Sequence, residues 1–268
     1  MSLRRLVSLA ALAALTACSP GERPDAAEAE GEWIDLTHAL GPDTIFWPTA
    51  DPYVHEKVFA GTTEAGYYYS TYNLALSEHG GTHLDAPVHF ADGRQGADEV
   101  PLDRLIGPAA VIDVTAAAEA DADYRVTRKD VLDWEAANGP LPEGAIVLVR
   151  TGFAKRWPDA ASYLGTVLKG DAGVAALHFP GLSEEAARLC AEERDIAAVG
   201  IDTASIDYGQ SRDYIAHQVI LGRDIPVFEN VADLSALPAT SATVVALPAK
   251  VKDGSGAPLR IVARLPAD

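Results

Sequence analysis

Residues 79–90 read HGGTHLDAPVHF and place His79, His83, Asp85 and His89 within eleven positions. Imidazole and carboxylate are the usual ligands of a borderline divalent ion such as zinc. Four such groups this close point to metal chemistry, against the plainer reading of a solvated histidine-rich loop. His217, in DYIAHQVILG, and Glu229, just after IPVF, are the next candidates. His217 has apolar neighbours in Ile215, Val219 and Ile220, so a histidine satisfied inside a core competes with a ligand there. Phe46 and Trp47 are large apolar residues in a segment with three prolines, 41–52. They read either as a hydrophobic plug or as a pocket wall.

The spacing constrains the local chain. A helix would bring His79 and His83 to one face but turn Asp85 away, and Gly80, Gly81 and Pro87 oppose a helix. In a strand, His83 and Asp85 share a side. His79 would then lie about 13 Å from His83, at roughly 3.3 Å per residue, whereas ligand bonds are about 2 Å long. The chain must therefore bend at Gly80-Gly81 and fold His79 back. Pro87 bends it again, letting His89 approach without having to bind.

The elements that position these groups follow from periodicity and turn residues. Strands are predicted at 34–36, 70–77, 109–114, 146–150, 196–201, 225–228, 243–247 and 259–265. Helices are predicted at 129–138, at 183–193 with Ser183 as N-cap, and at 212–221 with Gly222 as its stop. Glu229 falls at the carboxyl end of a strand, where α/β sheets gather ligands. Strands and helices intermix from Trp33 onward with no repeat and no dividing linker. The expectation is one α/β domain over 33–268, a mixed sheet with flanking helices.

Over 268 residues the formal net charge is −18, which argues against nucleic acid or an anionic membrane surface as partner. Arg4 and Arg5 precede an apolar stretch at 6–15 that is too short to span a bilayer. Leu15-Thr16-Ala17-Cys18 resembles a bacterial lipobox, implying cleavage before Cys18 and a lipid on it. An ordinary secretory signal over 1–18 is the alternative, and either one implies export to the cell envelope. Residues 19–32, rich in Ala, Glu, Asp and Pro, read as a flexible acidic tether. The other cysteine, Cys190, reads as a small buried hydrophobe, so no disulfide framework is expected.

HGGTHLDAPVHF resembles the HxGTHxDxPxHF signature of the cyclase-type metal hydrolases, which include bacterial kynurenine formamidase and isatin hydrolase. DLTHALGPDTIFWP, HFPGLS, GIDTASID and LPAKVKDGSGAPLR resemble further segments of that family in the same order, so the resemblance spans 33–265. It implies a swivelling β/α/β-like fold and a site for two divalent ions, zinc or sometimes manganese. His79, His83 and Asp85 would hold one ion, and Asp85 would bridge to a second on His217 and Glu229. His89 would be the catalytic acid/base, while His38, His55 and His178 match no ligand position. A divalent ion lowers the pKa of coordinated water to about 7, and a histidine beside it can pass a proton to a leaving nitrogen. The implied substrate is a small amide: N-formylkynurenine, cleaved to kynurenine and formate, or alternatively a cyclic amide or lactone such as isatin. Export fits poorly with tryptophan breakdown, expected in the cytoplasm, which leaves the acyl group open. The resemblance also implies a homodimer or higher oligomer, with Phe46 and Trp47 as candidates to wall an aryl ring, either of their own chain's substrate or of the neighbouring subunit's. A non-catalytic metal-capturing lipoprotein is the reading from another class, and it leaves His89 without a use.

Overall fold

The computed structural model describes residues 31–267. The expected signal segment, Cys18 and residues 19–30 of the expected tether lie outside the described residues; its last two residues are held against the domain, with Gly31 buried and the Glu32 carbonyl accepting from Leu265 N at 2.8 Å. Twelve strands appear: β1 (Trp33–Asp35), β2 (Val54–Thr62), β3 (Tyr68–Ala75), β4 (His83–Asp85), β5 (Ile106–Asp113), β6 (Arg125–Val126), β7 (Ala145–Arg150), β8 (Gly181–Leu182), β9 (Ile196–Ile201), β10 (Val227–Glu229), β11 (Thr243–Pro248) and β12 (Gly256–Arg264). The α-helices are α1 (Thr115–Ala120), α2 (Arg128–Asn138), α3 (Ala160–Tyr163), α4 (Gly170–Ala175), α5 (Glu184–Glu193) and α6 (Ile215–Leu221).

The main sheet runs β1-β12-β11-β5-β7-β9-β10-β4, and a further pairing of β4 with β12 closes it into a barrel. β5, β7, β9 and β10 are parallel to their neighbours in that order, and the remaining ladders are antiparallel. Parallel strands covered on both faces read as continuous apolar runs, which is why β7 is AIVLVR and β9 is IAAVGI. Alternation sorts their side chains. Ile146 and Leu148 join Leu84, Phe228, Ala246 and Ile261 in the barrel interior, whereas Val147 and Val149 pack outward against α2, α5 and α6. Each such buried aliphatic side chain contributes about 1.5–3 kcal/mol. The mixed sheet with flanking helices is as expected, but closure through β4 and β12 was not foreseen.

Local signals place the helices well. Thr127 and Asp130 form a capping box on α2, and the Ser183 side chain accepts from Ala186 N to cap α5. Cys190 is buried and unpaired, and burial pushes its thiol up to about 12. β5 and β12 each start three residues earlier than expected, at Ile106 and Gly256, and two further boundaries also need correction. α6 starts at Ile215 and not at 212, because Tyr214 adopts a left-handed conformation (φ 50, ψ 45) that no helix continues through. β10 covers 227–229 and not 225–228, because Glu229 pairs with His83 across the ladder.

The hairpin of β2 and β3 pairs with no other described strand. Both of its faces are exposed, including Val58, Phe59, Tyr68, Tyr69, Tyr72 and Leu74. Only β3 was expected; β2 buries no face and so carries no clear period.

Candidate metal centre

β4 and β10 carry the site on their outer face. In a strand, neighbours point to opposite sides. Leu84 and Phe228 fill the barrel interior with no exposure, so His83, Asp85 and Glu229 face the other way. The register sets His83 opposite Glu229. On the other flank β12 sets Gly256 opposite Asp85. A Cβ on Gly256 would lie 2.6 Å from His79 Cε1, so the missing side chain is the space that the His79 ring fills.

Both expected bends are present. Gly81 has φ +62, a conformation glycine adopts without steric cost. Gly80 bridges to Phe46, whose ring would sit 1.9 Å from a Cβ there. After Pro87 a single 3-10 turn, Pro87–His89, carries His89 back over His79, with ring centroids 4.0 Å apart and planes 23° from parallel. α6 brings in His217 from outside the barrel, buried against Phe90 at 4.5 Å between rings.

The side chains converge on Asp85. Its Oδ1 lies 2.6 Å from His79 Nδ1 and 3.2 Å from His83 Nε2, and its Oδ2 lies 3.3 Å from His217 Nε2. Glu229 approaches His217 Nε2 at 3.1 Å and His83 Nε2 at 3.5 Å. One oxygen of Asp85 thus faces each half of the cluster, the disposition a bridging carboxylate requires. Ligand-capable atoms of His79, His83 and Asp85 lie within 4.8 Å of one another, as do those of Asp85, His89 and His217. His89 therefore stands close enough to be read either as a ligand or as a base.

The donor set fits a divalent ion. His83 Nδ1 donates to the Gly81 carbonyl at 2.9 Å, and His217 Nδ1 donates to Asp207 at 2.6 Å. Each outer bond leaves the inner nitrogen with a free lone pair, as metal-binding histidines have. His83 Nε2 and Asp85 Oδ2 are buried without a hydrogen-bond partner. Such orphaned atoms are costly, and a cation between them satisfies both.

The electrostatics agree. Burial by itself would raise Asp85, but the close imidazoles of His217, His79 and His83 hold its carboxyl well below the usual range. Burial opposes charge on His83 and His217 too, yet the surrounding carboxylates win. Asp85 and Glu229 push His83 up to about 8, and Asp207, Asp85 and Glu229 raise His217 well above the ordinary value. Burial and the nearby Asp85 charge raise Glu229. The cluster holds more positive charge than bare imidazoles would, and a cation can take that place. His89 differs: burial lowers it to about 4, with Asp85 opposing and its neighbouring histidines assisting, so its ring is neutral at pH 7.

A cavity of about 370 Å³ opens onto the cluster. His79, His83, His89, His217 and Glu229 line it, and so do Phe46, Trp47, Phe90 and Tyr214. Phe46 is both plug and wall, buried against Gly80 with one edge in the cavity; Trp47 is the more open of the two. Among the described residues lining the cavity there is no lysine or arginine. The other histidines stand apart. His38 stacks on Trp157 at 4.2 Å, His55 stacks on Tyr72 of the hairpin, and His178 pairs with Asp123.

Residue types and spacing did not reveal Asp207, Tyr214 or Phe90 as neighbours of the cluster. Asp207 closes the segment GIDTASID and Phe90 closes the histidine motif, so a signal existed for both, but it did not say what they touch.

A closed α/β barrel with three histidines and two carboxylates around one buried point, open to a small cavity, defines the class of metal-dependent hydrolases. Residues 34–208 match the Cyclase family model ("Putative cyclase"), and the chain belongs to that family. Isatin hydrolase of Roseibium aggregatum is 30% identical over 251 residues, covering 88% of this chain and 93% of that protein. Kynurenine formamidase of Paracidovorax citrulli is 36% identical over 201 residues, covering 72% and 79%. The solved structure of isatin hydrolase A from Labrenzia aggregata, bound to benzyl benzoate, superposes with a TM-score of 0.79 at 34% identity, covering 88% of this chain and 94% of that one.

Proposed function

We propose that this chain hydrolyses the carbon–nitrogen bond of a small aromatic amide, with two divalent ions, zinc or manganese, held by His79, His83, Asp85, His217 and Glu229. The observation that carries this is the convergence of those five side chains on a cavity floor where His83 Nε2 and Asp85 Oδ2 are otherwise unpartnered. When bound, the ions supply Lewis acidity and a more acidic water.

The chain's own residues manage protons and position. Hydrolysis joins a water oxygen to the carbonyl carbon and breaks the bond to nitrogen. One proton must leave the water, and one must reach the departing nitrogen. His89 is neutral, lines the cavity and sits beside Asp85 and His217, so it can accept the first and deliver the second. Phe46, Trp47, Phe90 and Tyr214 offer faces for an aryl ring and keep bulk water from it.

N-formylkynurenine and isatin both carry an amide whose nitrogen is bonded to an aromatic ring, exocyclic in the first and part of a lactam in the second. The first also carries an amino acid group, and the lining holds no lysine or arginine to meet its carboxylate. That observation favours the uncharged cyclic amide. Turnover of both compounds by the zinc- or manganese-loaded protein tests the reading, with kcat/KM larger for isatin. A chelator should abolish activity and added metal restore it. Tight metal binding with no turnover of either compound would instead support metal capture.

Export and a lipid on Cys18 belong to the same reading, supported by the lipobox-like residues. Labelling with a fatty acid that Cys18→Ala abolishes is the check. A homodimer is supported by the β2–β3 hairpin, whose Val58, Phe59, Tyr68, Tyr69, Tyr72 and Leu74 side chains are exposed and offer an apolar face that a second copy could cover. Light scattering that shows a dimer for the native chain and a monomer for Tyr68→Asp would support it.

A further inference from the structure

We propose that Glu78 and Ser255 are positioning residues that fix the proton of His79 on Nε2, so that His79 offers Nδ1 to the metal while His83 and His217 offer Nε2. The inference rests on the metal-centre reading above.

The hydrogen bonds around Ser255 place a proton on His79 Nε2. Ser255 Oγ lies 2.8 Å from Glu78 Oε2 and 2.9 Å from His79 Nε2. The same Glu78 oxygen accepts from Ser255 N at 3.0 Å and from Gly256 N at 3.3 Å. Glu78 is thus an acceptor throughout, and a carboxylate has no proton to give. The serine hydroxyl has one hydrogen. Were that hydrogen aimed at His79, two oxygen lone pairs would face each other at 2.8 Å. The hydroxyl therefore donates to Glu78, and its oxygen accepts from His79 Nε2–H. His79 Nδ1 donates to Asp85 Oδ1 at 2.6 Å in the metal-free chain, and with Nε2 committed to Ser255 it is the nitrogen whose proton an ion would displace.

The neighbourhood holds the ring in that orientation. Gly256 abuts it, with an added Cβ 2.6 Å from Cε1 and 2.9 Å from Nδ1, and His89 stacks on it. The Ser255 carbonyl accepts from Ala86 N at 2.9 Å, tying the turn before β12 to the strand that carries the ligands. His83 and His217 are pinned through Nδ1 by a carbonyl and a carboxylate, and His79 is pinned through Nε2 by a hydroxyl that is itself held. The outer partner of a ligating histidine sets its tautomer, so the opposite pinning gives the opposite ligand atom.

Long-range proton–nitrogen correlation spectra of the zinc-loaded protein, with isotope-labelled histidine, read the tautomers directly. The expected pattern is a proton on Nε2 of His79 and on Nδ1 of His83 and His217. A proton on Nδ1 of His79 overturns the proposal, with no variant needed. Ser255→Ala and Glu78→Gln should weaken zinc binding about 10–100-fold in chelator competition, and Ser255→Thr, which keeps the hydroxyl, should restore it. Unchanged zinc affinity in Ser255→Ala also overturns the proposal while leaving the metal centre standing. A wild-type chain that binds no zinc sinks the metal centre itself.

Discussion

Replacing Asp207 with Asn separates anchoring of a helix from preparation of a ligand. The buried Asp207 carboxylate takes four bonds. Oδ2 accepts from His217 Nδ1 at 2.6 Å and His217 N at 3.1 Å, and Oδ1 accepts from Ala216 N at 3.0 Å and Ser211 Oγ at 3.4 Å. Tyr214 cannot cap α6 with its side chain, so Asp207 acts as the cap from a distance. A carboxamide has one acceptor oxygen. With that oxygen toward His217, its NH2 meets the Ala216 N–H, and a buried donor left unpaired costs about 1–3 kcal/mol. Lost negative charge at the helix start adds about 0.3–1 kcal/mol. With the NH2 toward His217 instead, Nδ1 must become the acceptor and Nε2 carries the proton, facing the ion. The variant should therefore be destabilised by about 1–4 kcal/mol without metal and should bind zinc about 10–100-fold more weakly. Urea unfolding of the metal-free protein and zinc competition with a chelator measure the two effects. A variant that loses stability but keeps wild-type zinc affinity would refute the ligand-preparing role and leave only the cap.

His89→Ala should keep its metal and lose about 10²–10⁴ in turnover; loss of an ion on elemental analysis would reassign His89 as a ligand. Glu229→Gln should reduce bound metal from two ions per chain to one, and an unchanged count would remove the second site. Because His83 is pushed up to about 8 and His217 is raised well above its ordinary value, metal must displace protons. Affinity should thus weaken as pH falls below about 8, by about tenfold per unit for each proton displaced; a flat profile in chelator competition contradicts this. His38 is lowered from 6.5 to about 4 by burial, so its neutral form is the one folding favours. Its contribution is complete above pH 6.5 and is lost as pH falls toward 4. After discounting for its partial exposure this amounts to on the order of 2 kcal/mol. His38→Phe, which keeps a ring against Trp157, should flatten that part of the stability profile relative to wild type.

What was readable in the sequence was local. Gly80, Gly81 and Pro87 restrict their own backbone, so the two bends around the histidines could be foreseen, and strand alternation placed His83 beside Asp85. Thr127-Asp130 and Ser183 act within one turn of their helices; Ser183 could be placed from the sequence for the same reason. Apolar runs marked the buried parallel strands. Tertiary structure alone decided what lies on either flank of β4. Pairing with β10 brought Glu229 to His83, and pairing with β12 brought Gly256 to Asp85 and opened the space for His79. It also turned His217 from an ambiguous core histidine into a member of the cluster and revealed Asp207 and Ser255 as the partners of His217 and His79 ring nitrogens. Dihedral preference and periodicity act over a few residues, whereas these contacts join segments up to 176 positions apart and exist only once strand register and barrel closure bring them together.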